Sequence, residues 1–392
     1  MAIVQAFRGV LFDTRKTGDL AGLLVPPRDP LSSESPAAPA SDEALSVARL
    51  LHPGPEAGLT ASAWLEQGVL ARRESPALYW FSQDFPVGHR RRQCRGLLAR
   101  ASLRPGRDVI VFQDAQGAAS VPPHGAGIEP RLALYSGESA PLDELLRPVE
   151  SAEPLVAFTD AAGVAHRLWE IAEPALVAAV CERLATARLL LPEPAPASAA
   201  PVLTALLPAS DAGPRPCPFA RLAQVPEEFD FNRFFERLGA GFDVYPLYGP
   251  EAIQGLLEKA SPGEVRIAVY IHKPRRCLLT VPKIELPALP EDGHSAAWQQ
   301  LDSVVLRRRI LEPILELDRA RQDDPAWLKP CREADDAVAQ LQAGGPYRIA
   351  FLLNPARMTQ ILELSGEGEP LPAWSVDFRP RLPSGLVLDL EG

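Results

Sequence analysis

No stretch of this 392-residue chain approaches the roughly eighteen consecutive apolar residues that a bilayer span requires, and its opening MAIVQAFRGVLF meets Arg8 too early for a signal peptide. A cytoplasmic protein with no membrane partner is therefore expected. No C-x-x-C pair is present: Cys94, Cys181, Cys217, Cys277 and Cys331 are odd in number and widely scattered. That spacing excludes zinc and dithiol redox motifs, leaving five reduced thiols that act as small apolar residues and no expected metal or cofactor. Basic charge is not in excess either, since 40 Lys and Arg face 50 Asp and Glu for a net charge of −10. Phosphate neutralisation needs clustered cations, so no nucleic-acid partner is expected. Nor does the sequence repeat at a fixed period.

Proline is abundant, at 42 residues, about twice its average share. It concentrates in Pro27 to Ala44 and in Pro192 to Pro218, two Ala/Pro-rich stretches that read as extended, exposed and partly mobile. With 46% apolar residues the remainder can bury a sizeable core. The first half reads as strands. ALYWFSQDF and CRGLLARASL flank PVGHRRRQ as a hairpin with its cations at the tip, and DAAG at Asp160 to Gly163 turns a second hairpin. Thr60 reads as the cap of a helix to Leu70, and Glu173 to Leu191 as one helix. Within the second proline-rich stretch VLTALLP reads as a strand, and Asp230 caps the helix DFNRFFERLGA. Strands and helices then alternate. The pattern predicts a mixed α/β (α+β) protein, with a β-rich lobe over 1–191, an Ala/Pro-rich connector over 192–218 and an α/β lobe over 219–392.

Three segments are more specific. AFLLNP at Ala350 to Pro355 is an apolar strand suited to burial on both faces, and Asn354 can cap a helix whose first residue is Pro355. LDSVVLRRRILEPIL at Leu301 to Leu315 precedes it, and PRLPSGLV at Pro380 to Val387 follows. Together with FRGVLF near the N-terminus, RLLHP, SPALYWFSQDF and HRLWEI, this order resembles the uncharacterised bacterial and archaeal proteins of family DUF1015, from Phe7 to Leu386. The resemblance implies a Gly-His-His-Arg-Tyr motif similar to the phosphate-binding turn of the ParB and sulfiredoxin fold and of free-serine kinases. Sharing a scaffold does not transfer an activity.

Where that turn is expected, the chain carries PEPAPASAAPVLTALLPASDAGPRPCP, with no His, no Lys and Arg215 as its one Arg. A phosphate cradle needs close-approaching glycines, free N–H groups and usually a cation, none of which proline supplies. The losses continue against the family pattern. A Pro-Thr-His-Arg run is here Pro218, Phe219, Ala220 and Arg221, and a Met-Pro-Pro-Lys-Ser-Thr run is Leu371 to Val376 with Trp374 in place of Lys. A Pro-Pro-Tyr-Asp phrase is Pro26 to Asp29, and a His-Glu pair is His124 followed by Gly125. Ala, Val and Trp cannot serve as acids, bases or nucleophiles.

Six residues are the candidate remnants of a ligand site: Arg8, Asp29, Arg49, His124, Arg221 and Ser375. Arg8 and Asp29 read equally as a fork for phosphate or carboxylate and as an ordinary ion pair. His124 reads as a surface-loop residue, His166 as a satisfied structural side chain, and Ser375 as a weak nucleophile without a base beside it. Asp302 is expected to cap the helix beginning at Ser303, Arg307 to Arg309 to form a solvated helical face with one member paired, and Trp374 to fill space a ligand once occupied. These readings lead to a pseudoenzyme that binds an unknown protein or small molecule, with no catalytic residue assigned. The alternative is a small-molecule phosphotransferase with a rebuilt site, using Arg8, Asp29, Arg49 and Arg221.

Overall fold

The computed structural model describes residues 4–27, 31, 45–51, 55–88, 90–106, 109–113, 127–136, 142–195, 200–210, 212–261, 263–283 and 293–390. Two compact units result. Met1–Val111, Ala119–Arg215 and Arg379–Gly392 form the first, and Phe112–Ala118 with Pro216–Phe378 the second. Mixed α/β architecture is observed, β-rich first and alternating later, as the patterning predicts.

The first unit is organised by the hairpin of Leu78–Val87 and Arg90–Ala101, paired antiparallel from Tyr79 opposite Leu98 to Val87 opposite Arg90. Leu78 and Trp80 face one side of the sheet, where they pack with Leu142 and Leu146 of the helix Leu142–Glu150 and with Val180 and Leu184 of the helix Pro174–Ala185. Period-2 alternation sends Tyr79 to the other side, against Phe7 at 5.2 Å between rings. Gly96 permits the close fit at the sheet centre, because a Cβ there would lie 2.4 Å from the Phe81 ring and 2.8 Å from the Leu206 carbonyl oxygen. Gly385, at φ +87°, is a second obligatory glycine, since a Cβ would meet Val47 at 2.2 Å.

Several expectations are corrected here. The helix predicted over Glu173 to Leu191 stops at Ala185, and Arg188–Leu191 becomes a strand, because its consecutive leucines are buried on both faces between Val109–Val111 and Arg131–Ser136. Val202–Pro208 is a strand as read. It is not exposed: it lies between Arg90–Ala101 and Arg131–Ser136 with Leu203, Thr204 and Leu206 fully buried. Thr60 is interior to the helix Pro55–Glu66 and caps nothing. The Asp160 turn holds, with the Asp160 carboxylate accepting from Ala162 and Val164 N–H.

The second unit is a six-stranded antiparallel sheet in the order Phe242–Pro246, Arg276–Pro282, Ile267–Ile271, Tyr347–Leu353, Ala220–Gln224, Leu328–Cys331. Tyr347–Leu353 is interior. Ile349, Phe351 and Leu353 enter one core with Phe234, Leu238 and Ile310, while Ala350 and Leu352 enter another with Leu257, Ala337 and Leu341. Burial on both faces is as the AFLL run predicts, yet the sheet is antiparallel, with helical segments supplying both covers. Pro355 does not start a helix. The helix is Met358–Glu367, preceded by Arg357, whose N–H donates to Gln360 Oε1 at 3.0 Å.

Candidate functional site

The polar residues of the second unit gather where the chain from Glu369 to Val376 meets the segment from Ser295 to Leu311. Arg221 comes from the strand Ala220–Gln224 and is 7% exposed. Its Nη1 donates to the carbonyls of Phe219 and Ala220 at 3.2 and 3.3 Å, and its Nη2 to those of Ala373 and Trp374 at 3.4 and 2.9 Å. Burial lowers this guanidinium to about 10, which still leaves it charged at neutral pH. Trp374 sits at φ +62°, in the left-handed region unusual for a bulky residue, and its ring meets Phe219 edge-on at 5.4 Å. Arg221 therefore acts as a clamp that holds an unfavourable turn by its carbonyls. Ser375, next in the chain and 5% exposed, donates to the Pro372 carbonyl at 2.7 Å and shares a 2.9 Å hydrogen bond with Ser303 Oγ.

Asp302 begins the short helix Asp302–Val305 but does not cap it. Its carboxylate accepts instead from the N–H of Asn354 at 3.1 Å, at the end of the AFLL strand. The residue is half-buried while the carboxylate itself is enclosed, and burial pushes it up to about 7 against the opposing hydrogen bonds of Asn354 and Arg266 N–H and the charge of Arg357. The Asn354 side-chain amide is buried beside the same carboxylate. Immediately after Asp302–Val305 the chain widens into a π-helical turn over Leu306–Leu311, with Glu312 N–H bonded to Arg307 O and Leu315 N–H to Ile310 O. Such turns re-aim side chains and recur at functional sites. Here the turn aims two arginines at one carboxylate, Arg307 at 3.1 Å and Arg308 at 3.7 Å from Glu312, in place of the single paired member expected.

The six candidate residues are only partly gathered. Arg221 and Ser375 meet through the turn at 372–375. Arg8 and Arg49 belong to the first unit. Arg8 is exposed and makes no hydrogen bond or ion pair among the described residues, whereas the Arg49 guanidinium lies 5.9 Å above the Trp64 ring. Asp29 and His124 lie outside the described residues. His166 is structural as read: 2% exposed, bonded to Asp160 at 2.9 Å, stacked on Phe158, and pulled below its ordinary value by burial. Two residues escaped sequence reasoning. His294 and Glu369 are bonded at 2.7 Å although 75 positions apart, so no local spacing advertises them. The one usable signal was Ser295 ahead of a short helix. Among the described residues no group of three metal-ligating side chains occurs, and no helix is long and apolar enough to cross a membrane.

Residues 120–191 match the model of the DUF1015 family, described as a protein of unknown function. Among solved structures, a conserved hypothetical protein from Pyrococcus furiosus is similar at 17% identity and a TM-score of 0.27, over 52% of this chain and 76% of its own. Free serine kinase in complex with AMP is similar at 15% identity and a TM-score of 0.24, over 65% of this chain and 89% of its own. A mutant of free serine kinase in complex with ADP gives 16% and 0.24 over the same shares. No curated protein matches the sequence.

Proposed function

We propose that this chain is a non-catalytic relative of the DUF1015 proteins, a remnant of the ParB and sulfiredoxin scaffold that acts in the cytoplasm by binding a protein or small molecule. One observation carries the reading: the Arg221 guanidinium, the cation retained from the family pattern, is enclosed and donates to four main-chain carbonyls. A guanidinium engaged in this way is not available to a phosphate. The Ser375 hydroxyl supports the same view, being bonded to a carbonyl and to a second hydroxyl and, among the described residues, to no carboxylate or imidazole. Purified protein supplied with ATP, ADP or pyrophosphate together with serine is expected to transfer no phosphoryl group above the protein-free blank. Turnover that rises with protein concentration and disappears in Asp302→Asn would reject the proposal.

That variant is chosen because Asp302 favours the second reading, a small-molecule phosphotransferase with a rebuilt site. A carboxyl held near neutrality can exchange a proton at physiological pH, and Asp302 immediately precedes Ser303, whose hydroxyl shares a hydrogen bond with Ser375. Under this reading the rate would rise with pH through about 7 as Asp302 ionises and becomes a base. A flat profile at blank level supports the binding protein.

A further inference from the structure

Both carboxylate oxygens of Glu369 close on one short segment. Oε1 accepts from His294 Nδ1 at 2.7 Å and from Ser295 N–H at 3.0 Å, and Oε2 accepts from Ser295 Oγ at 2.5 Å. Ser295 Oγ accepts in turn from Trp298 N–H as the helix Ala296–Gln299 begins, and Gln299 Nε2 donates to the His294 carbonyl at 3.2 Å. The imidazole lies parallel on the Trp298 indole, 3.7 Å between centroids at 9°. Burial raises the Glu369 carboxyl, but the hydrogen bonds from Ser295 and His294 outweigh it and hold the group below its ordinary value. Glu369 is thus a carboxylate at neutral pH and can only accept. Nδ1 must carry its hydrogen, so the neutral imidazole keeps its lone pair on Nε2. The His294 side chain is 34% exposed, and Nε2 has no hydrogen-bond partner among the described residues.

From this arrangement we infer that His294 is a phosphoryl acceptor, its Nε2 attacking a small phosphoryl donor that carries a good leaving group. The lone pair forms the N–P bond, and the bond from phosphorus to the leaving group breaks with its electron pair. With phosphoramidate the leaving group is ammonia. No proton has to be removed from the nucleophile, which distinguishes it from the hydroxyls of Ser303 and Ser375. The ring becomes a cation that retains Nδ1–H, and two features already in place stabilise that charge: the Glu369 carboxylate and the indole face beneath the ring. Two fixed contacts, to Glu369 and Trp298, hold the imidazole in one orientation, while Gln299 ties down the His294 carbonyl, and the anionic phosphoryl oxygens would remain at the exposed edge. Because Nδ1 is occupied, the reaction has a single regiochemistry. This site is separate from the Arg221 turn, and the inference holds whether or not phosphoryl transfer to serine is absent.

The test is incubation of the folded full-length chain with potassium phosphoramidate, followed by peptide mass spectrometry and phosphorus NMR. A single phosphohistidine is expected, at Nε2 of His294, formed at least about tenfold faster than at the same residue in the urea-unfolded chain, because fold-imposed charge compensation is what activates it. Equal rates in the two states, or preferential reaction at another histidine, would overturn the inference. Glu369→Gln, which keeps an acceptor at Nδ1 and removes the charge, is expected to slow the reaction without moving it. Glu369→Ala is expected to release Nδ1, so that both ring nitrogens are modified. An Ala variant with unaltered rate and regiochemistry would remove Glu369 from the account. If either variant fails to fold, the comparison of folded and unfolded parent chain decides alone.

Discussion

Arg221 makes its contribution through what its loss leaves behind. Replacing it by Leu strands the carbonyls of Phe219, Ala220, Ala373 and Trp374 without their donor, and the expected loss is on the order of 3 kcal/mol in urea unfolding. Lys in its place is expected to recover less than half, since a point charge cannot fork across two chain segments. Asp302 is read through pH. Its carboxyl is raised by burial to about 7 in the fold, whereas in the unfolded chain it titrates near the ordinary value of about 3.9. Between those values the unfolded state ionises and the folded state does not, so this group's contribution is present at low pH and is lost as pH rises. Asp302→Asn is therefore expected to gain stability relative to the parent on the order of 1 kcal/mol per pH unit from about pH 4 to about 7. Urea titrations at a series of pH values check the slope; a constant difference would mean the carboxyl is not raised. The raised carboxyl was not foreseeable, because enclosure by Asn354 and Arg266 is a property of distant strands.

Elements were legible where a local contact decides them. Asp230 is an example: its side chain accepts from the N–H groups of Asn232 and Arg233, as the D-F-N-R-F-F pattern implies, and it starts the helix Phe231–Gly241. Asp230→Ala is expected to cost about 1 kcal/mol by chemical denaturation, the usual value of an N-cap. Asn354 is the counterexample. Its composition and its position before Pro355 suit a cap equally well, yet the helix starts at Met358 and the Asn354 N–H is taken by Asp302, 52 positions away. The same competition appears at Arg188–Leu191, where a leucine run compatible with a helix joins the sheet because strands stand on either side of it. Local propensity is a weak preference, and an available ladder of hydrogen bonds outweighs it.

At the scale of the whole molecule, the last described segment completes the first unit. Leu382, Leu386, Val387 and Leu388 are buried, and Val10 exchanges backbone hydrogen bonds with Leu388, as Val25 does with Ser384. Burying each such aliphatic side chain is worth about 1.5–3 kcal/mol, so deletion of residues 379–392 is expected to unfold that unit, visible in melting curves as the loss of one transition with the transition of the second unit retained. Retention of both transitions would show that the segment is dispensable. Composition, charge and the apolar strands could all be read along the chain, because each depends on residue type and near neighbours. The clamp at Trp374, the raised Asp302 carboxyl and the His294–Glu369 pair could not. Each joins groups from 52 to 153 positions apart, and such meetings arise only when the packed sheets and helices bring those groups within hydrogen-bonding distance.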